Sequence, residues 1–254
     1  MSSVEAQRVS RMAEFVQRMN EVERDLSFPY LRPKDAATLI LIDRSGSAAK
    51  VLLGKRHAGH KFMPGKFVFP GGRVDRTDRL LPVARGLHPA AEAQLMKRVQ
   101  RSSQAKARAF ALAAIRETFE ETGLLLGVAA QEAIMSAKGP WSAFAQAKIL
   151  PDLSLLHFIG RAITPPGRPR RFDARFFTMD ASAIAHRIDG IIGPDAELVE
   201  LVWMPLSEAR QLDMPAVTGV MLEELDDRIA EGFSHDLPVP FYSMARGKFR
   251  RELL

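Results

Sequence analysis

The chain has 254 residues, with 36 Lys and Arg against 30 Asp and Glu, a formal charge of +6 at pH 7. Hydrophobic residues at 46% and charged residues at 26% are a globular balance, which excludes a disordered, collagenous or coiled-coil chain. Cysteine is absent, so disulfide frameworks, thiolate zinc sites and cysteine nucleophiles are excluded together.

From the start of the chain, Val4, Met12, Phe15, Val16 and Met19 recur near helical spacing and predict an amphipathic helix. Pro29 and Pro33 mark a linker behind it, so residues 1–34 read as helix plus linker and 35–254 as one domain. No apolar stretch follows a basic start, so no signal peptide is expected. Nor does any stretch reach the ~18–20 apolar residues of a membrane helix, and the expected location is the cytoplasm, away from membranes.

Residues 36–43 and 50–56 predict two strands around the turn at 44–47. Residues 66–69 set Phe67 and Phe69 on one face and break at Pro70-Gly71-Gly72, read as a loop whose backbone approaches something closely. Residues 79–104 are interrupted by proline, then helical and basic, and read as an insertion. A helix is predicted from about 105 to 122, with Gly123 supplying the left-handed residue that ends it. A short helix at 141–148, strands at 155–164 and 174–179 around the loop PPGRPRR, and a strand at 197–204 follow. From 206 to 254 the expectation is helical. Strands and helices mix with several hairpin-like pairs, which points to an α+β fold.

The positive charge is segregated. Residues 79–111 carry seven Lys and Arg against Glu92, residues 161–175 five Arg against Asp173, and residues 246–252 four against Glu252. No Tyr or Trp lies inside these segments, so a base-stacking platform is missing and nucleic acid is not an expected partner. The patches suit phosphate-rich small molecules or a solvated surface. No G-x-S-x-G elbow and no G-x-x-x-x-G-K-[ST] loop occurs, which argues against a serine hydrolase and a P-loop enzyme.

The most informative segment is Arg116-Glu117-Thr118-Phe119-Glu120-Glu121-Thr122-Gly123. Its three glutamates stand at i, i+3 and i+4, on one face of a helix. Glu117 and Glu121 repel by about 0.2–0.5 kcal/mol, and the macrodipole disfavours each anion in the last turn by about 0.3–1 kcal/mol. Arg116 can neutralise one carboxylate, not three. A hard divalent cation such as Mg²⁺ or Mn²⁺ resolves the conflict; a solvated acidic helix end is the other reading. The preceding Gly-Gly favours the cation, because glycine leaves room for a diphosphate beside a carbonyl ligand.

PGGRVD at 70–75 followed by AAIRETFEETGL at 113–124 resembles the Nudix box, and Gly72, Arg116, Glu117, Glu120, Glu121, Gly123 and Leu124 match it by type. Gly72 and Arg116 are 44 positions apart where the box allows 14, so about 30 residues are inserted within it. Arg108 stands where the box has a Glu, which leaves Asp75 or Asp78 as partner for Arg116, and Thr118 fills an aliphatic position. The split box, with LLGKRHAGHKFMPGKFVFPGG at 52–72, is similar to the branch that includes a peroxisomal coenzyme A diphosphatase, although Met63 stands where some relatives have His.

The resemblance implies an α/β/α sandwich with a mixed sheet, an insertion inside the box and an extra N-terminal helix. It implies Mg²⁺- or Mn²⁺-dependent hydrolysis of a nucleoside diphosphate linked to another group, with coenzyme A, an acyl-coenzyme A or an ADP-ribose-like compound as candidate substrates. Glu117, Glu120, Glu121 and Arg116 are then the catalytic candidates; Gly71, the three glutamates and Glu197 are the metal candidates. Glu197 is preferred over Glu200 as a more distant acid because it follows the Gly193-Pro194-Asp195 turn. Arg56, Gly72, Arg170 and Arg171 are the substrate candidates, with Arg168 and Arg175 as further phosphate contacts, and His57 and His60 lie in a loop within reach of a ligand. A non-catalytic module that binds a nucleotide or a protein is the alternative, and a homodimer is compatible with either.

Overall fold

The segment KDAATLILID becomes strand β1 (Lys34–Asp43), and its apolar residues fill both faces. Ala37, Leu39 and Leu41 join one core, while Ile40 and Ile42 join another. A strand apolar on both faces belongs in the middle of a covered sheet. The computed structural model describes residues 13–17, 20, 30–60, 63–130 and 139–254.

Asp43 accepts hydrogen bonds from the Ser45 amide (2.9 Å) and hydroxyl (2.6 Å), closing the turn into β2 (Lys50–Arg56). Strands β3 (Phe67–Val68) and β4 (Gly71–Arg73) pair with β2 and β1. Gly71 and Gly72 are therefore strand residues opposite Thr38 and Ala37, not the loop that Pro-Gly-Gly predicts. The reason is close approach: a Cβ on Gly71 would lie 2.7 Å from the Ala37 carbonyl and 2.8 Å from Thr38 Cα. Without one, the two backbones can meet.

A 3-10 turn at Arg76–Arg79 opens the insertion, capped by Asp75, and α1 (Pro89–Met96) fills its middle. Arg85 ties it to the body through Asp152, with Nε at 2.8 Å. Helix α2 (Gln104–Thr122) follows, with Ser103 as N-cap and Gly123 at φ 76° as its left-handed end. Its run of alanines lets it lie closely on the sheet, and Ala109 through Arg116 are all buried. Thr118 is tolerated at its aliphatic position because its hydroxyl bonds the Ala114 carbonyl at 2.8 Å, which spends its polar group on the helix itself.

The rest of the chain supplies β5 (Leu124–Leu126), β6 (Val128–Ala129), α3 (Trp141–Ala147), β7 (Ile149–Leu150), β8 (His157–Ile163), β9 (Phe172–Asp180), β10 (Ile184–Arg187) and β11 (Leu198–Pro205). Helices α4 (Leu206–Ala209) and α5 (Ala216–Ala230) and strands β12 (Pro240–Ala245) and β13 (Lys248–Leu253) complete it. The nine-stranded sheet runs β11-β2-β1-β9-β8-β12-β13, with β3 and β4 attached at β2 and β1. Pairs β1/β9 and β8/β12 are parallel and the others antiparallel. Helices α1, α2 and α3 cover one face and α5 the other, which is the α/β/α sandwich with a mixed sheet.

The helical expectation for 206–254 fails at its end, where β12 and β13 form a hairpin. Arg246 and Gly247 both take positive φ, 51° and 75°, as a tight hairpin turn requires. Residues 13–17 are helical, and Phe15 packs edge-on against Tyr242 (5.6 Å) and Phe249 (6.0 Å), so this part of the N-terminal helix docks on the hairpin side. Val4, Met12 and Met19 lie outside the described residues. Among the described residues no helix is long and apolar enough to cross a membrane.

Candidate active site

The last turns of α2 bring the box residues to β4. Arg116 is buried and uses its guanidinium on every side. Nε and Nη2 meet Asp78 at 2.7 and 3.1 Å, Nη2 also donates to the Arg73 carbonyl at 2.8 Å, and Nη1 donates to Glu117 (2.9 Å) and Glu120 (2.7 Å). Burial works against its charge, but the Asp78 bonds and the charges of Glu117, Asp78 and Glu120 outweigh it and raise its pKa. Asp78 is fully buried and also accepts from the Asp75 amide at 2.7 Å, so it, and not Asp75, is the carboxylate paired with Arg116. Asp75 instead caps the 3-10 turn through Thr77. Arg108 donates to the Leu81 carbonyl, which fastens the insertion to α2 in place of an ionic partner for Arg116.

Glu117 lies over Gly72, so closely that a Cβ there would overlap its carboxyl carbon and both oxygens. Burial, only partly offset by Arg116, pushes its pKa up to about 6. Glu121 accepts from the Gly71 amide at 3.3 Å. Burial first, then the charges of Glu197 and Glu117, raise its pKa well above the ordinary value. Arg56 pairs with Glu197 at 2.9 Å, and both act electrostatically on Glu121. Glu120 is the most exposed of the three and is held by Arg116.

The structure therefore gathers Arg56, Gly71, Gly72, Arg116, Glu117, Glu120, Glu121 and Glu197 around one bend. It does not give a closed cage: among the described residues no group of three or more His, Asp or Glu side chains is placed to hold a metal ion. The donor chemistry still fits a hard cation. Buried carboxylates held against two glycines are oxygen donors whose charge is penalised by burial and by neighbouring acids, and Mg²⁺ typically takes one or two of them with water and phosphate completing its shell.

Other candidates fall elsewhere. Glu200 is exposed and 4.0 Å from Lys55. Arg170 is exposed in the loop between β8 and β9. Arg171 is buried and donates to the carbonyls of Thr164 (2.9 Å) and Leu31 (2.6 Å), so the linker to β1 claims it and it is not gathered with the glutamates. Arg175 is likewise buried and pairs with Asp35 at 2.9 Å, which removes it from the phosphate contacts. The Arg73 carbonyl, an acceptor for Arg116, escaped sequence reasoning, since nothing in a side-chain pattern marks a backbone group.

The sequence profile of the NUDT19 Nudix domain matches residues 33–213. A protein of Caenorhabditis elegans named "Putative nudix hydrolase 7" is 30% identical over 158 residues, a match covering 58% of this chain and 44% of that protein. The chain thus spans less than half the length of this curated relative. A NUDIX hydrolase from Alicyclobacillus acidocaldarius, of known crystal structure, is 28% identical with a TM-score of 0.55, covering 76% of this chain and 90% of that one.

Proposed function

The chain belongs to the Nudix family, and from that premise we propose that it is a metal-dependent hydrolase of a nucleoside diphosphate linked to a second group. The observation that carries this reading is the placement of Glu117 over Gly72 and Glu121 on the Gly71 amide, at one bend. Glu117, Glu120 and Glu121 would hold Mg²⁺ or Mn²⁺, with the Gly71 carbonyl as a further ligand. Bound by these residues, the cation would supply positive charge to the phosphoryl oxygens and lower the pKa of a bound water.

This chain's own residues do the positioning. Arg116 fixes the directions of Glu117 and Glu120 while Asp78 holds it from behind. Glu197, restrained by Arg56, would be the carboxylate that accepts the proton of the attacking water. Water adds to one phosphorus, the bridging P–O bond breaks, and two monophosphates leave. Gly72 leaves room for the Glu117 carboxylate, and Arg56 would supply positive charge beside the diphosphate. Coenzyme A, an acyl-coenzyme A and an ADP-ribose-like compound are the candidate substrates, the first two favoured by the resemblance of the split box.

Purified protein is to be incubated with these compounds, with and without Mg²⁺ or Mn²⁺, and the products read by mass spectrometry. Cleavage only with metal, lost in Glu120→Gln at a melting temperature within a few degrees of wild type, is the expected result. Full activity in Glu120→Gln would remove the carboxylates from the mechanism. Arg108 at the position of a box glutamate favours a second reading, a binding module without turnover. Saturable nucleotide binding with no cleavage of any compound would support it.

A further inference from the structure

The insertion builds a basic cavity of its own. Arg32 before β1, Arg79 of the 3-10 turn, Arg101 between α1 and α2, and Lys106 near the start of α2 line one cavity of about 590 Å³. Asp35 is the one acid in its wall, with Gln100 and Ser103 beside it, so four cations face one anion. Asp35 is already shared: Lys106 Nζ lies at 3.2 Å and Arg175 Nη1 at 2.9 Å. Arg79 and Arg101 have no hydrogen-bond or ion-pair partner among the described residues, and Arg32 has only Gln100 at 3.5 Å.

The ground behind this wall is positive too. Arg175 is 1% exposed and packs on Phe110 with its guanidinium carbon 3.8 Å from the ring centre. Its Nη1 meets Asp35 and Asp173 (3.2 Å), but its Nε and Nη2 have no acceptor among the described residues, so Asp35 is already engaged from behind the cavity wall. Its other acid, Asp173, is held by Arg161 through two bonds of 2.8 and 2.7 Å. Four cations converging on one already engaged acid leave a positive potential that a multiply charged anion complements.

We propose that this cavity binds a small polyanion carrying two or more phosphate groups, at a site separate from the glutamates. Three arginines offer planar forks for bidentate contact with phosphate oxygens. The volume suits a small molecule. The cations converge from four chain segments into a hollow, which suits a compact ligand better than a nucleic-acid strand. Lys106 precedes Glu117 by eleven residues, about 16 Å along α2 by helical rise, and none of the three glutamates lines the cavity. Binding here does not depend on the hydrolase reading.

The test uses the full chain in EDTA, titrated calorimetrically with pyrophosphate and with tripolyphosphate at low and physiological salt. Without metal the glutamates repel both probes. Saturable binding that weakens with salt is expected, reduced at least about tenfold in the Arg79→Ala/Arg101→Ala double variant and unchanged in Glu120→Gln. Both arginines are exposed, so the double variant is expected to melt as wild type does. Equal affinity in the double variant, or absence of binding at millimolar probe, overturns the proposal. A single-stranded oligonucleotide that binds more tightly than tripolyphosphate with the same variant dependence also overturns it, in favour of nucleic acid.

Discussion

Gly72 and Glu117 occupy what would be the same space if Gly72 carried a methyl group. The atoms in conflict are the tip of a flexible side chain, whereas a methyl on Gly71 meets backbone at Ala37 and Thr38. The two neighbouring glycines therefore fail in different ways. Gly72→Ala is expected to move the Glu117 carboxylate by about an ångström and to lower kcat by about 100-fold, with little change in melting temperature. Gly71→Ala is expected to cost stability, about 1–3 kcal/mol in a urea titration. Reversed outcomes would mean that Gly72 serves the fold and not the site.

The pairing of Asp78 with Arg116 gives a second expectation. Asp78→Ala leaves a buried guanidinium with only Glu117, Glu120 and a carbonyl, and is expected to lower stability by about 3 kcal/mol. Asp75→Ala removes only the cap of the 3-10 turn, worth about 1 kcal/mol. Urea midpoints of the two variants measure the difference, and equal losses would return Asp75 to contention as the partner of Arg116.

These two aspartates show where sequence reading stops. The three-residue spacing of Asp75 and Asp78 puts both in one capping box, and only the packed structure decides which faces Arg116. The helix end at Gly123, the match of Arg116, Glu117, Glu120 and Glu121 to a box, and the β2 bounds were legible because each rests on local spacing. The β12–β13 hairpin was not: Arg246, Lys248, Arg250 and Arg251 suggested a solvated helical tail and hid the alternation of Phe249 with charged neighbours. The signal that could have found it was Arg246-Gly247 between two strand-like runs. Arg171 and Arg175 misled in the opposite direction, as arginines of a basic segment that the fold uses internally.

Tyr242 and Glu224 anchor that hairpin to α5. The Tyr242 hydroxyl donates to Glu224, and Arg251 Nε lies 2.8 Å from the same carboxylate oxygen. Tyr242→Phe leaves the Arg251–Glu224 pair in place and is expected to cost about 1 kcal/mol. Glu224→Ala strands Arg251 and a buried hydroxyl together and is expected to cost about 3 kcal/mol or more. Chemical denaturation of both variants checks the order, and a Tyr242→Phe loss as large as that of Glu224→Ala would show the hydroxyl to be the anchor instead.

Three imidazoles from distant segments stack in one column: His88 on His235 at 4.1 Å, and His235 on His157 at 3.7 Å. Phe233 closes the end over His157 at 4.4 Å. Burial first, then the positive charges of His235, Arg228, Arg44 and His88, push the His157 pKa down to about 3. The unfolded chain protonates the same ring near 6.5. Because the folded pKa is the lower one, the contribution of neutral His157 is whole above about pH 6.5 and is lost as the pH falls from there toward 3. His157 therefore lowers the melting temperature between pH 7 and pH 5, while the raised carboxyls of Glu117 and Glu121 act in the opposite direction. His157→Phe keeps a ring against Phe233 and His235 but has no proton to take, and its Nδ1, buried without a partner among the described residues, is gone. That variant is expected to lose less stability on acidification than wild type. Parallel melting curves over this range would show that the column stays neutral for reasons other than the packing of His157.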